Sequence, residues 1–252
     1  MSAARTGTEG AITEHYEGLS GAAEGGELGP IFPYVGTGYE QESGVLRLLG
    51  VGINSYISPE HAGKCHGEWH RAWTAQRKHP FARGARKDLD RLGAALQKSD
   101  QYTGLSYDPD ASVYVTNAVK RYLRKETGRH AEQVQRKWID EGKAVWREEL
   151  RTLARLRTLP HVIVVFGEVP WGPVWSVLAE LCASPEDPAF AEYRPMDRSS
   201  GVYHRLNVVE LGEEAGQDRI VLLRLNHPAA WGADWKAAFA LERHEVREVL
   251  GL

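Results

Sequence analysis

Three stretches carry side chains able to bind a planar ligand: Gly52-Ile53-Asn54-Ser55-Tyr56, Asn117, and His227-Pro228-Ala229-Ala230-Trp231-Gly232. Each comes directly after an apolar run rich in branched residues: Val45–Val51, Val113–Val119 with Asn117 toward its end, and Ile220–Leu225. Such runs read as buried strands. In open α/β sheets, ligands bind at the carboxyl ends of the strands. Amide, phenol, imidazole and indole groups at three strand ends would therefore meet on one edge. A plainer reading of Asn54 stays open, since Asn also serves as a turn or cap residue.

A second group lies between 57 and 87, where Cys65, His66, Trp69, His70, Arg71, Trp73 and Phe81 are interleaved with further cations. Cys65, His66 and His70 are ligand types that suit zinc, but their spacing matches no closed four-ligand pattern, and no metal is expected. The preferred reading is a cationic, aromatic loop beside the site, the mixture that phosphates and stacked bases require. A solvated loop with buried tryptophans would look the same. Lys120, Arg121, Arg124 and Lys125 follow the Asn117 strand at once and would ring the same edge if the strands are parallel. The alternative is a solvated basic loop.

The elements needed to position these groups are legible as alternating strands and helices. Helices are expected at 85–98, 132–159, 173–182 and 234–250, and strands at 45–51, 113–119, 161–167 and 220–225, with an additional strand at 203–211. Gly142, inside the longest helix, marks a kink or a close approach. This alternation predicts an α/β fold with a central, mostly parallel sheet of about four strands covered on both sides. Residues 1–30, poor in large apolar side chains, are expected to form a mobile acidic, Gly-rich arm, with 31–252 as one domain. Ile31–Val35 is an apolar cluster able to dock that arm on the body.

The 252 residues are 42% hydrophobic and 26% charged, ordinary for a globular protein. The net charge of −3 argues against a generally DNA-coating protein, although residues 1–43 hold seven carboxylates and one cation, which leaves the rest net positive. No apolar run reaches membrane-spanning length and no secretory leader is recognisable, so no membrane partner is expected. With only Cys65 and Cys182, a reducing, cytoplasmic setting is the default expectation.

In order and separation, the three stretches resemble the motifs of the uracil-DNA glycosylase superfamily, over about residues 45–250. Gly52–Tyr56 looks like its water-activating turn, Val115–Val119 is similar to its base-reading strand, and His227–Gly232 resembles its final motif. The resemblance implies a three-layer α/β/α fold and DNA as partner. The cysteine ligands of the family's iron–sulfur-containing branches are absent, since Cys65 and Cys182 are only two, so no cofactor is expected, and no obligate protein partner is inferred. It implies that Asn54 orients a water, less effectively than an aspartate would, and that His227 donates to the departing base. Asn117, with Gly52, Ile53 and Tyr56, would bind the flipped base. Trp231 would fill the gap in the stack, and Trp69, Trp73 or Phe81 would stack on the base. Lys120, Arg121, Arg124, Lys125 and Arg71 would contact DNA. The expected activity is hydrolytic, monofunctional excision of uracil or another altered pyrimidine, leaving an abasic site. Ser55 and Ala229 depart from the family pattern. They leave open a non-catalytic nucleic-acid-binding protein of the same fold, or, further off, a metal-dependent α/β hydrolase.

Overall fold

The computed structural model describes residues 7–17, 27–30, 33–41, 43–52, 56–57, 80–124, 130–167, 170–180, 205–211, 219–225 and 237–252. Their helices are α1 (Gly7–Glu17), α2 (Pro80–Leu96), α3 (His130–Arg155), α4 (Trp171–Ala179), α5 (Ala237–Ala240) and α6 (His244–Leu250). The strands are β1 (Glu27–Pro30), β2 (Tyr34–Val35), β3 (Leu48–Gly52), β4 (Tyr56–Ile57), β5 (Val113–Asn117), β6 (Arg121–Arg124), β7 (Val162–Phe166), β8 (Arg205–Glu210) and β9 (Arg219–Leu225).

Six strands form the main sheet in the order β2-β5-β3-β7-β9-β8. The inner four, β5, β3, β7 and β9, are parallel, as their uninterrupted apolar sequences require when both faces are covered. The edges, β2 and β8, are antiparallel additions. The expected parallel four-stranded sheet is therefore present, with one more strand on each side.

Alternation along the strands divides the interior into two layers. Leu48, Val113, Val115, Val162, Val164, Phe166, Val221 and Leu223 pack with α2, α5 and α6, through Leu89, Leu92, Leu96 and Leu250. Leu49, Val51, Tyr114, Ile163, Val165 and Leu222 pack on the opposite face with α1, α3 and α4, through Ile12, Trp146, Leu150, Leu153 and Val177. Gly50 of β3 lets the α2-side layer close in, since a Cβ there would meet Leu89 and Phe166 side chains at 3.2 and 3.3 Å.

Several expected boundaries shift for local reasons. Helix α2 begins five residues early, at Pro80, because proline suits the first helical position. Helix α3 stops at Arg155. Arg157, at φ 54°, closes it with the Thr158 amide donating to Leu153 O and its own amide to Ala154 O, a Schellman termination with arginine where glycine is usual. The expected final helix is two short ones, α5 and α6, separated at 241–243, where Arg243 is extended.

The largest correction concerns the N-terminal segment. Residues 7–17 are the helix α1, packed on α3 with Ile12 and Tyr16 fully buried, and 27–30 are a strand, not a mobile arm. Two large apolar anchors suffice to dock a segment whose average composition is polar.

Candidate functional site

The carboxyl ends of the four parallel strands lie side by side on one edge of the sheet. Gly52 of β3 is the register partner of Asn117 in β5, and the Ala118 amide donates to Gly52 O at 2.8 Å. On the other side of β3, Phe166 of β7 pairs with Leu225 of β9, and the Gly167 amide donates to Leu225 O at 2.8 Å. Three strand spacings separate Asn117 from the end of β9, roughly 14 Å at ordinary inter-strand distances.

Beyond this edge the chain builds a second, three-stranded sheet in the order β1-β6-β4. Strand β4 starts four residues after β3 ends, and β6 starts four after β5 ends. The two pair in parallel, Tyr56 with Leu123 and Ile57 with Arg124. The backbone at Tyr56 is thereby brought beside the segment that follows Asn117. Arg121 and Arg124, expected in a basic loop, belong to β6.

Asn117 is 2% exposed, and its Nδ2 has no hydrogen-bond partner among the described residues. A buried, unpaired amide donor costs about 1–3 kcal/mol. Folded proteins rarely retain one without use. Tyr39 Oη and Trp146 Nε1 are likewise unpaired, but both residues are buried in the α1/α3-side layer. Asn117 stands instead at a strand end, on the β5 face shared with Val113 and Val115, toward α2.

Lys120 requires a correction. It was expected among the DNA-contacting cations, but it is 1% exposed and its ammonium is bonded to the carboxylate of Glu149 in α3. Its Nζ also donates to Thr116 Oγ1 at 2.6 Å and lies over the Trp146 ring, 5.2 Å from the centroid. A side chain so engaged cannot reach a phosphate. Glu149, itself fully buried, also accepts from Tyr16 Oη at 2.5 Å, Tyr114 Oη at 2.8 Å and Thr116 Oγ1 at 3.3 Å. Burial, reinforced by the Glu149 charge, holds the Tyr16 and Tyr114 phenols well above their usual range. Burial also pulls Lys120 below its usual value, and Glu149 counters that pull.

Sequence reasoning missed Glu149 and Tyr16. The available signal was position on a helix: Gly142, Val145, Glu149 and Thr152 follow one another at three or four residues, on the face that also carries Trp146 and Leu153. Gly142 itself faces the segment after Asn117. A Cβ there would sit 1.9 Å from Ala118 O, which makes it a close approach of helix to backbone.

Strand β9 ends at Leu225, and where α5 begins the Ala237 amide donates to Asp88 Oδ1 of α2 at 3.1 Å, in a buried contact. Ile53, Asn54, Trp69, Arg71, Trp73, Lys125, His227 and Trp231, together with Cys65, His66 and His70, lie outside the described residues, as do the side chains of Tyr56, Phe81, Arg121 and Arg124. No group of three or more potential metal ligands occurs among the described residues. No helix among them is long and apolar enough to cross a membrane.

Residues 64–250 match the model of the uracil DNA glycosylase superfamily. The chain belongs to that superfamily. The match includes β5 with Asn117, the Lys120–Glu149 pair and the His227 motif, and it begins after Gly52–Tyr56. Comparison with curated proteins gave no match. Membership brings the three-layer α/β/α fold and, at the level of the family, a glycosylase-type function with DNA as substrate.

Proposed function

We propose that the protein is a monofunctional DNA glycosylase that flips uracil or another altered pyrimidine out of DNA and hydrolyses its bond to the sugar. The observation that carries this reading is the buried, unpartnered Nδ2 of Asn117 at the carboxyl edge of the sheet. A base edge entering there would receive a hydrogen bond that the folded protein otherwise forgoes, so the cost of burying the amide becomes binding energy and selectivity.

The remaining roles follow the sequence motifs. Asn54 would hold a water against the sugar carbon. An amide cannot take the proton, so the rate depends chiefly on stabilising the leaving base. His227 would donate to the base oxygen on which charge accumulates as the bond breaks. Tyr56 would lie against C5 of the base. The register of β4 with β6, which brings its backbone near the Asn117 segment, supports that assignment. Trp231 would occupy the gap in the duplex, one of Trp69, Trp73 and Phe81 would stack on the base, and Arg71, Arg121, Arg124 and Lys125 would contact phosphates.

The test is base release, without added metal, from single- and double-stranded oligonucleotides carrying uracil, hypoxanthine, mismatched thymine or modified cytosine. The expected result is release of at least one altered pyrimidine, leaving an alkali-labile abasic site. Salt-sensitive DNA binding with no release would instead favour a binding protein of this fold.

A further inference from the structure

The two strands described before residue 36 pair with the strand that carries Asn117 and with its continuation, and α1 packs on α3 behind them. Strand β2 pairs with β5, Tyr34 opposite Val115 and Val35 opposite Tyr114. Strand β1 pairs with β6, Glu27 opposite Leu123. Helix α1 delivers Tyr16 to Glu149, and the same hydroxyl lies 3.4 Å from Thr116 Oγ1, one residue before Asn117. These residues precede the family match, so the matched fold receives an added set of contacts at one place.

The strand pairings flank a five-residue stretch, 116–120, and Tyr16 reaches its first residue. Thr116 and Lys120, at its two ends, are both bonded to Glu149. The Ala118 amide is bonded to Gly52 O, and its carbonyl is packed against Gly142. Asn117, between the pinned ends, has its own donor unpaired, so nothing described on its own side chain fixes the direction of that donor. The orientation must come from the backbone, and the backbone is held from the opposite face of the sheet.

We propose that Tyr16 and Glu149 are positioning residues for Asn117: the N-terminal helix closes a buried network that fixes the 116–120 backbone and thereby aims the Asn117 amide at the flipped base. The proposal rests on Asn117 being the base-contacting group. It makes α1 part of the substrate site without touching substrate. Tyr16→Phe keeps the ring that packs in the core and removes only the hydroxyl.

The test uses the full chain with Tyr16→Phe and Glu149→Gln. His15→Ala is the control, because His15 lies on the same helix and is bonded to Thr152, outside the network. The Asn117 side-chain amide is followed by 1H–15N NMR, its cross-peak assigned by loss in Asn117→Leu, and base release is resolved into kcat and KM. Tyr16→Phe is expected to displace the Asn117 cross-peak and to lower kcat/KM, chiefly through kcat, about tenfold, the scale of one buried hydrogen bond, with the salt dependence of DNA affinity unchanged because no phosphate contact is altered. Glu149→Gln should do the same more strongly, and His15→Ala should do neither. A Tyr16→Phe protein that loses thermal stability but keeps the wild-type cross-peak and kcat overturns the proposal. If the wild type releases no base, the glycosylase reading fails by itself, and the cross-peak still decides whether Tyr16 positions Asn117.

Discussion

Asn117 and Lys120 stand three residues apart and have opposite relations to their surroundings. The unpaired Asn117 donor destabilises the fold by about 1–3 kcal/mol, so Asn117→Leu, close to isosteric, should raise stability in urea unfolding by about 1 kcal/mol while lowering base release by roughly 10²-fold. A loss of stability together with full activity would remove Asn117 from the site. Lys120 is the reverse case. Lys120→Met strands a buried carboxylate and should cost about 3–5 kcal/mol, most of it recovered in the double Lys120→Met, Glu149→Met variant. The double variant should retain the wild-type dependence of DNA affinity on salt, whereas loss of a true phosphate contact lowers that slope by about one. The strand-end position of Asn117 was legible because its strand is largely apolar and ends in an amide. The fate of Lys120 was not, because a cation after a strand looks the same in sequence whether it faces solvent or a carboxylate 29 residues on.

Among the elements, α3 shows most clearly what periodicity does and does not reveal. Its existence and buried face follow from Val145, Trp146, Leu150 and Leu153 at helical spacing. Its end does not, since Arg157 supplies the left-handed residue that glycine would have signalled. Gly142 gives the sharpest prediction. Alanine normally stabilises a helix interior by about 1 kcal/mol over glycine, but here the new methyl group would collide with backbone that cannot step aside. Gly142→Ala should therefore lower stability by at least about 1–3 kcal/mol and disturb base release through the Ala118 segment. Thermal unfolding and a kinetic assay on the same preparation would check both. The parallel strands were equally legible. Of the two antiparallel edges, β8 lies within the strand expected at 203–211, whereas β2 was not legible, for it has only two residues. Helix α1 was hidden because composition averages over a segment, whereas docking depends on single residues such as Ile12 and Tyr16.

For the molecule as a whole, the two ends of the sheet play different parts. At the amino edge, opposite the site, His161 accepts from the Arg47 amide through Nδ1 at 3.0 Å and packs edge-on against Tyr102. Burial, aided by the nearby Arg47 charge, lowers its pKa from 6.5 to about 4. The folded state thus binds fewer protons than the unfolded chain in this window. The stability His161 contributes is complete above pH 6.5 and falls as the pH drops from 6.5 toward 4, by roughly 3 kcal/mol in all. His161→Asn, which keeps an acceptor for the Arg47 amide, should flatten that part of the stability–pH curve in denaturant titrations at several pH values. An unchanged curve would assign the acid sensitivity elsewhere. The docking of α1 has a consequence of another kind, in the order of synthesis. Tyr16 emerges from the ribosome 133 residues before its partner Glu149. At about 5–20 residues per second, helix α1 waits roughly 7–27 s for that partner. A Gly- and Glu-rich segment with few apolar anchors is the composition that can wait in water without aggregating, so this segment is made well before its partner and is late to join the fold.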